Sequence, residues 1–214
     1  MSPERQPRER RDSRPRMVVA MTGASGTLYG VRLLEALRDL DVESHLVVSK
    51  AGSMTRAYET DYSASDLRDL ADHSYAHTDI AAPISSGSFR TMGMVVAPCS
   101  VRTMSDIAHG TTSCLTSRAA DVMLKERRRL VLMVRETPLH TGHLRSMLTL
   151  SEMGAIIAPP VPAFYTRPET LDDMVRHTVG RVLDLFDLDT ADFPRWGADV
   201  DSWPTEPLEV PEGV

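Results

Sequence analysis

The stretch Met17-Val-Val-Ala-Met-Thr-Gly-Ala-Ser-Gly26 decides the fold of this chain. Its apolar half predicts a strand, and the glycines that follow predict a tight turn leading into a helix. The first turn of a helix presents unpaired N–H groups and a partial positive charge, so a phosphate group is stabilised there. Gly23 and Gly26 allow a close approach of the backbone, and Ser25 offers a hydroxyl donor. Any tight strand-to-helix connection favours such residues, so the turn alone leaves ligand binding open.

Composition narrows the class of protein. The chain has 214 residues, 42% hydrophobic and 25% charged, which suits one globular α/β domain. A net charge of −6 argues against nucleic acid as the main partner. No apolar run approaches the ~20 residues of a membrane span, and the arginine-rich start does not resemble a secretory signal. With only Cys99 and Cys114 and no export signal, we expect reduced thiols and a cytoplasmic protein.

The two ends of the chain differ from its middle. Residues 1–16 hold six arginines, and residues 197–214 hold five acidic residues, several prolines and no Lys or Arg. Neither composition suits a packed core. We therefore expect a disordered N-terminal arm over 1–16, one domain over 17–196 and an acidic, proline-containing tail over 197–214.

Apolar runs alternate with helical patterns inside this domain. Strands are predicted at about 17–21, 43–48, 94–97, 130–134 and 155–158, and helices near 28–39, 50–59, 113–128, 142–152 and 171–186. This alternation predicts an α/β fold with a mostly parallel sheet covered by helices on both faces. In such folds ligands bind at the carboxyl ends of the strands.

Four segments follow predicted strand ends: 22–26, 49–50, 98–103 and 135–138. They carry groups that can hold an anion or move a proton, namely the hydroxyls of Thr22, Ser25, Ser49, Ser100 and Thr103, the cations Arg102 and Arg135, and the carboxylate of Glu136. Each Ser or Thr taken singly is most often a helix cap, and each charge a loop residue. Together they predict a binding site along one edge of the sheet.

Other candidates have structural alternatives. Arg118, Asp121 and Lys125 fall on one face of a predicted helix, where a solvated face is the usual outcome. His140 and His143 could ligate a metal, but a helix-end role is favoured because no third ligand lies near. Cys99 follows a strand and could be a nucleophile, although a buried thiol is favoured because the sequence places no activating His beside it.

Several motifs in order resemble one family. They are Gly23-Ala-Ser-Gly26, Tyr29-Gly-Val-Arg-Leu-Leu34, Ser49-Lys-Ala51, Glu59-Thr-Asp61, Ile84-Ser-Ser-Gly-Ser-Phe89, Pro98-Cys-Ser100, Arg118 to Arg128, Arg135-Glu-Thr-Pro-Leu-His140 and Pro159 to Tyr165. Over about residues 17–196 the chain resembles the UbiX-type flavin prenyltransferases. The resemblance implies a Rossmann-like (flavodoxin-like) three-layer αβα fold and a homododecamer. It also implies transfer of a dimethylallyl group from dimethylallyl monophosphate to N5 and C6 of reduced FMN, without a metal, making prenylated FMN for a UbiD-type decarboxylase.

The same resemblance implies roles for individual residues. FMN would contact Gly23, Ala24, Ser25, Ser49, Ser100, Val101, Arg102, Thr103 and Arg135. The dimethylallyl phosphate would be held by Lys125, Tyr165 and Arg181, with Arg118 contributed by a neighbouring subunit. Glu59 and Glu136 would transfer protons, Ser25 would assist catalysis, and Trp196 would lie near the site. Arg102 stands where the family commonly has Lys, which keeps the charge but changes the donor geometry.

This chemistry needs the residue types that are present. Breaking an allylic C–O bond adds negative charge to the departing phosphate, so fixed cations are required around it. Bond formation at C6 releases a proton, a task for a carboxylate, and Glu136 beside Arg135 is the first candidate. Two alternatives stay open: a flavin-dependent cysteine decarboxylase, which carries a Ser-Ala-Asn-Thr type of stretch where this chain has Ser100-Val-Arg-Thr103, and a non-catalytic FMN-binding subunit of a decarboxylase.

Overall fold

A computed structural model of the chain describes residues 14–190. Its sheet contains six strands: β1 (Arg16–Met21), β2 (Glu43–Val48), β3 (His73–Tyr75), β4 (Gly93–Cys99), β5 (Arg129–Val134) and β6 (Ile156–Ile157). The helices are α1 (Thr27–Asp39), α2 (Lys50–Glu59), α3 (Ala64–Leu70), α4 (Val101–Ala108), α5 (Leu115–Lys125), α6 (Thr141–Glu152) and α7 (Leu171–Asp184), with a 3-10 turn at Pro83–Ser85.

The strands are all parallel, in the order β3-β2-β1-β4-β5-β6. Val19 in the middle of β1 pairs with Leu46 of β2 on one side and Val95 of β4 on the other. The chain after β1 continues to one side of the sheet, and the chain after β4 continues to the other. The connections at the carboxyl ends of β1 and β4 therefore diverge, which leaves a crevice where open α/β sheets bind ligands.

Alternate side chains of the strands face opposite layers of the core. In β1, Val18 and Ala20 pack with α4, α5 and α6, whereas Met17, Val19 and Met21 pack with α1, α3 and α7. Both faces of the sheet are thus covered, and the central strands are apolar at consecutive positions for that reason. The predicted three-layer α/β fold is confirmed.

The elements that were not predicted are short. α3 spans 7 residues, β3 spans 3 and α4 spans 8. Their polar sequences give weak periodicity, and tertiary contacts decide their conformation. No helix within residues 14–190 combines the length and the apolar character needed to cross a membrane.

The start of the domain lies slightly before the expected boundary. Arg16 is the first residue of β1, and Arg14 forms ion pairs of 2.8 Å with both Asp41 and Asp72. Residues 1–13, the expected acidic tail and Trp196 lie outside the described residues.

Candidate active site

Backbone hydrogen bonds join the carboxyl ends of four neighbouring strands. Ser49 N donates to Met21 O at 2.9 Å, and Arg135 N donates to Cys99 O at 3.1 Å. Thr22 Oγ1 joins the two central strands, because it donates to Pro98 O and accepts from Ser100 N, each at 2.8 Å. The four segments predicted to form a site therefore lie side by side along one edge of the sheet.

The glycine turn after β1 depends on the absence of two side chains. Gly26 precedes α1 with φ of 111°, a left-handed conformation that favours glycine. A Cβ atom on Gly23 would lie 2.5 Å from Ala51 Cβ, so glycine is needed there for the turn to pack against α2. Ala24 between them is 8% exposed. The turn is thus fixed between α1 and α2 before any ligand is considered.

Glu59, the last residue of α2, closes the start of α1. Its Oε2 accepts hydrogen bonds from the backbone nitrogens of Gly26 and Thr27, each at 2.9 Å. Burial acts to raise the pKa of Glu59, but hydrogen bonds from Ser25, Thr27 and Gly26 outweigh it and lower the pKa. The sequence predicted a phosphate at this helix N-terminus, whereas two of its N–H groups donate to a carboxylate of the same chain.

The hydroxyls at the strand ends also cap helices. Ser49 is buried and accepts from Gly52 N at 3.0 Å, at the start of α2. Ser100 begins α4, where its Oγ accepts from Thr103 N at 3.3 Å and lies 3.1 Å from Thr103 Oγ1. Val101 is partly buried against the core beneath α4. Capping fixes these side chains at the crevice, where their remaining lone pairs and protons can meet a ligand.

The charged residues of this edge are exposed. Arg135 and Glu136 follow β5, and the Glu136 carboxylate accepts from Thr137 N at 3.0 Å. The side chain of Arg102 is 91% exposed, with its Nε 4.0 Å from Asp106 Oδ2. The sequence analysis names Tyr29 within a motif but gives it no role. The Tyr29 ring lies 2.8 Å from the place that a Cβ atom on Gly26 would take. Burial raises the pKa of Tyr29, and the charge of Arg135 acts to lower it, so Arg135 lies near this ring and the glycine turn.

A second group of polar residues involves α7 and the loop before it. Tyr165 Oη lies 3.3 Å from His177 Nε2, and the rings meet edge to face. Burial, followed by the charge of Arg181, lowers the pKa of His177. His177 was missed by the sequence analysis, although its place four residues before Arg181 puts both on one face of the helix. The structure thus brings two predicted phosphate ligands, Tyr165 and Arg181, to one histidine. Arg181 Nη1 also pairs with Asp184 Oδ2 at 2.7 Å.

The two cations of α5 lie elsewhere. Arg118 pairs with Asp121 Oδ2 at 2.7 Å and donates to Ser85 O at 3.2 Å. Lys125 is the last residue of α5, just before β5, and contacts the Glu126 carboxylate. It therefore lies at the amino edge of the sheet, whereas the glycine turn lies at the carboxyl edge. A six-residue strand such as β5 separates these edges by about 20 Å.

The structure decides between the alternatives for Cys99 and His140. Cys99 is fully buried, which raises the pKa of its thiol to about 12, so it has no nucleophilic thiolate near neutral pH. Neither Cys99 nor Cys114 is in a disulfide. His140 precedes α6, and its Nδ1 accepts from Gly142 N at 3.0 Å, which is the helix-end role. The two alternatives that the sequence favoured are confirmed.

Comparison with known proteins identifies the class to which this chain belongs. The family model described as Flavoprotein matches residues 5–183. Flavin prenyltransferase UbiX of Escherichia coli K12 is 56% identical over 184 residues, covering 85% of this chain and 97% of that protein. The crystal structure of AnUbiX with FMN and dimethylallyl pyrophosphate is 55% identical, with a TM-score of 0.86, covering 89% of this chain and all of that one. The chain belongs to the UbiX-type flavin prenyltransferases.

Two further structures place the chain within the wider fold. A protein described as a dodecameric FMN-dependent UbiX-like decarboxylase from Escherichia coli O157:H7 is 54% identical, with a TM-score of 0.83, covering 85% of this chain and 98% of that one. The FMN-dependent cysteine decarboxylase TvaF is 16% identical, with a TM-score of 0.57, covering 69% of this chain and 91% of that one. At that identity the likeness to TvaF shows a shared fold alone.

Proposed function

We propose that this protein transfers a dimethylallyl group from dimethylallyl monophosphate to N5 and C6 of reduced FMN, giving prenylated FMN and phosphate. The observation that carries the proposal is the 55% identity to a structure that holds FMN and a dimethylallyl phosphate ester together. Reduced FMN is the co-substrate and supplies the carbon-accepting atoms. The residues of this chain bind it, hold the donor and move the protons.

FMN binds in the crevice at the carboxyl edge of the sheet. Its contacts are Gly23, Ala24, Ser25, Ser49, Ser100, Val101, Arg102, Thr103 and Arg135. The joined strand ends support this assignment, because they bring hydroxyl groups and exposed guanidinium groups to the same edge. The Thr22 hydroxyl fixes the spacing of the two central loops by bridging Pro98 and Ser100. The backbone N–H groups of Gly26 and Thr27 donate to Glu59, so we do not assign them to the flavin phosphate.

The donor phosphate is held by three cations and one tyrosine hydroxyl, which come from two subunits. Tyr165 and Arg181 come from one chain, where both lie near His177. Lys125 and Arg118 come from a neighbouring chain, because Lys125 lies on the opposite edge of the sheet from the glycine turn. Fixed cations stabilise the charge that develops on phosphate as the allylic C–O bond breaks. This division of residues supports a homo-oligomer, and we propose a dodecamer.

Two carboxylates are assigned to proton transfer. Glu136 lies beside the Arg135 assigned to FMN, is exposed at the mouth of the crevice, and accepts the proton released from C6 of the flavin. Glu59 forms hydrogen bonds to the glycine turn and has a lowered pKa, so it is ionised at neutral pH. It therefore acts through Ser25, whose hydroxyl donates to the Glu59 carboxylate and keeps its oxygen lone pairs for the site.

The decisive experiment mixes the purified protein with reduced FMN and dimethylallyl monophosphate without oxygen and weighs the flavin product. A mass gain of one dimethylallyl unit, lost when the donor is omitted, is expected. An unchanged flavin that is nevertheless bound would support the accessory-subunit alternative. A separate incubation with oxidised FMN and a peptide that ends in cysteine tests the cysteine decarboxylase, which would release CO₂, leave an enethiol on the peptide and reduce the flavin.

Glu136→Gln tests the assigned base separately. We expect FMN to bind as before and turnover to fall at least about a hundredfold, because general base catalysis typically contributes that much. Glu152→Gln, the same change at an exposed carboxylate at the end of α6, serves as the matched control. Equal turnover of Glu136→Gln and wild type would remove Glu136 from the mechanism.

The natural donor and the consumer of the product follow from the same proposal. Running the reaction with the monophosphate and the pyrophosphate esters side by side tests the donor, and faster reaction with the monophosphate is expected.

The product, prenylated FMN, is used by a UbiD-type decarboxylase. We place the reaction in the cytoplasm, consistent with two unpaired cysteines.

A further inference from the structure

A cluster of imidazole and carboxylate groups lies at the amino edge of the sheet, opposite the candidate active site. Glu43 is the first residue of β2, His45 follows two residues later, and His73 begins β3 and pairs with His45 across the two strands. One ligand atom from each residue can be chosen so that all lie within 4.8 Å of one another. All three side chains point to the same small volume.

Two of the three distances between ligand atoms fit coordination of one ion. The Oε1 atom of Glu43 lies 3.2 Å from His45 Nε2 and 3.2 Å from His73 Nε2. Ligand atoms about 2.0 Å from a tetrahedral zinc ion lie about 3.3 Å from one another. The rings of His45 and His73 are stacked 4.8 Å apart, so His73 has to turn for both nitrogens to face one ion. Its side chain is 52% exposed, which leaves room for this rotation and a path for the ion.

His45 carries the observation that distinguishes this cluster from a chance group of surface residues. Its side chain is 2% exposed, and its contact with Glu43 lacks hydrogen-bond geometry. Within residues 14–190 this buried nitrogen therefore has a carboxylate neighbour but no hydrogen-bond partner. A buried imidazole nitrogen without a hydrogen-bond partner can bind a metal ion and lose no protein contact in doing so.

Surrounding residues hold the ligands in place. Tyr75 Oη lies 2.9 Å from His45 Nδ1, leaving Nε2 as the nitrogen that faces Glu43. Arg16 donates to Glu43 Oε2 at 3.1 Å, so the other oxygen is directed to the histidines. Phe89 meets the His45 ring edge to face and forms an apolar wall. The charges of Arg16 and Glu43 cancel, so we expect weaker binding than at sites with several anionic ligands.

We propose that Glu43, His45 and His73 form a zinc site that fastens the edge strand β3 to β2. Two imidazoles and one carboxylate are ligands that Zn²⁺ prefers, and water would complete a tetrahedron. The site is structural: it lies about one strand length from the glycine turn and takes no part in prenyl transfer. β3 spans only 3 residues and pairs with one neighbour at the edge of the sheet. Because so short a strand has few hydrogen bonds of its own, a metal cross-link to β2 would stabilise its pairing.

The test measures Zn²⁺ binding to the full-length protein by titration against a chromophoric chelator, with thermal unfolding in parallel. His73→Phe keeps a ring stacked on His45 and removes only the ligand nitrogen. We expect it to lose one zinc equivalent per chain, together with the zinc-dependent rise in unfolding temperature. His109→Phe, the same change at an exposed histidine on another part of the surface, is expected to keep both.

A second variant keeps the proposal testable if His73→Phe folds poorly. Tyr75→Phe retains all three ligands and removes only the partner of His45, so zinc affinity should fall about tenfold. Cobalt in place of zinc should give visible bands without a thiolate charge-transfer band, since neither cysteine belongs to the site. The proposal fails if wild type binds no zinc, if His73→Phe binds as many equivalents as His109→Phe, or if cobalt reports thiolate ligation. Prenyl transfer is not the readout, so these results do not depend on the proposed activity.

Discussion

The Oε2 atom of Glu59 lies 2.9 Å from the backbone nitrogen of Gly26, so the end of α2 closes the turn that begins α1. The same oxygen reaches Thr27 N. An anion from the chain itself thus takes the position at the helix N-terminus that the sequence pattern assigned to phosphate. In the proposed FMN site, the flavin therefore contacts the part of the turn before Gly26 and the neighbouring strand ends.

Replacing Glu59 should change how stability depends on pH. The pKa of Glu59 is lowered in the folded protein from an ordinary value of 4.5. Its contribution is therefore present above about pH 4.5 and is lost as the pH falls through the lower, folded value. Glu59→Gln should be less stable than wild type at pH 7, and the difference should close toward pH 3. Urea unfolding across this range checks the expectation, with Asp61→Asn as an exposed control; a gap independent of pH would contradict it.

Gly23 should tolerate no side chain while Ala51 faces it. A Cβ atom on residue 23 would lie 2.5 Å from Ala51 Cβ, so we expect Gly23→Ala to cost about 1–3 kcal/mol of unfolding free energy. Adding Ala51→Gly removes the colliding atom and should recover part of that loss. A double-mutant cycle measured in urea gives the coupling between the two positions. Strictly additive effects would mean that the turn relaxes away from α2.

Tyr165→Phe should weaken donor binding and leave FMN binding unchanged. The Tyr165 hydroxyl, 3.3 Å from His177 Nε2, belongs to the proposed donor site, and a hydrogen bond to a phosphate contributes about 1.5–3 kcal/mol. We expect KM for dimethylallyl monophosphate to rise about tenfold or more. Tyr58→Phe, at a side chain that is 89% exposed, is the matched control. An unchanged KM would remove Tyr165 from the phosphate site.

Lys125 should act on the site of a neighbouring subunit. Lys125→Ala and Glu136→Gln are each expected to be nearly inactive when alone. If the two groups come from different chains, oligomers that mix both variants contain some sites with both groups intact, about a quarter at equal mixing. Co-expression with two affinity tags and activity of the doubly purified protein provides the measurement. Activity no higher than the mean of the two variants would place Lys125 in its own chain's site.

Much of the architecture could be predicted because it follows from local pattern. The continuous apolar run of β5 indicated a strand buried on both faces, and the helix predicted at 50–59 is α2, which Ser49 caps. α4 itself was not predicted, because 8 residues with several polar side chains carry little periodic signal. Tyr29 and His177 were given no role for a different reason. Their importance comes from neighbours that are distant in sequence or across a helix face.

The sequence by itself determined the parallel α/β class, the strand ends that bear hydroxyls and the family, since these depend on periodicity, turn chemistry and ordered motifs. Only the tertiary structure decided which groups meet. It assigned Glu59 to the start of α1, Tyr165 to His177, and Glu43 to two histidines on adjacent strands. It also placed Lys125 about one strand length from the glycine turn, at the opposite edge of the sheet. Residue spacing along a chain does not encode such distances, because strand order and the packing of helices on each face set them.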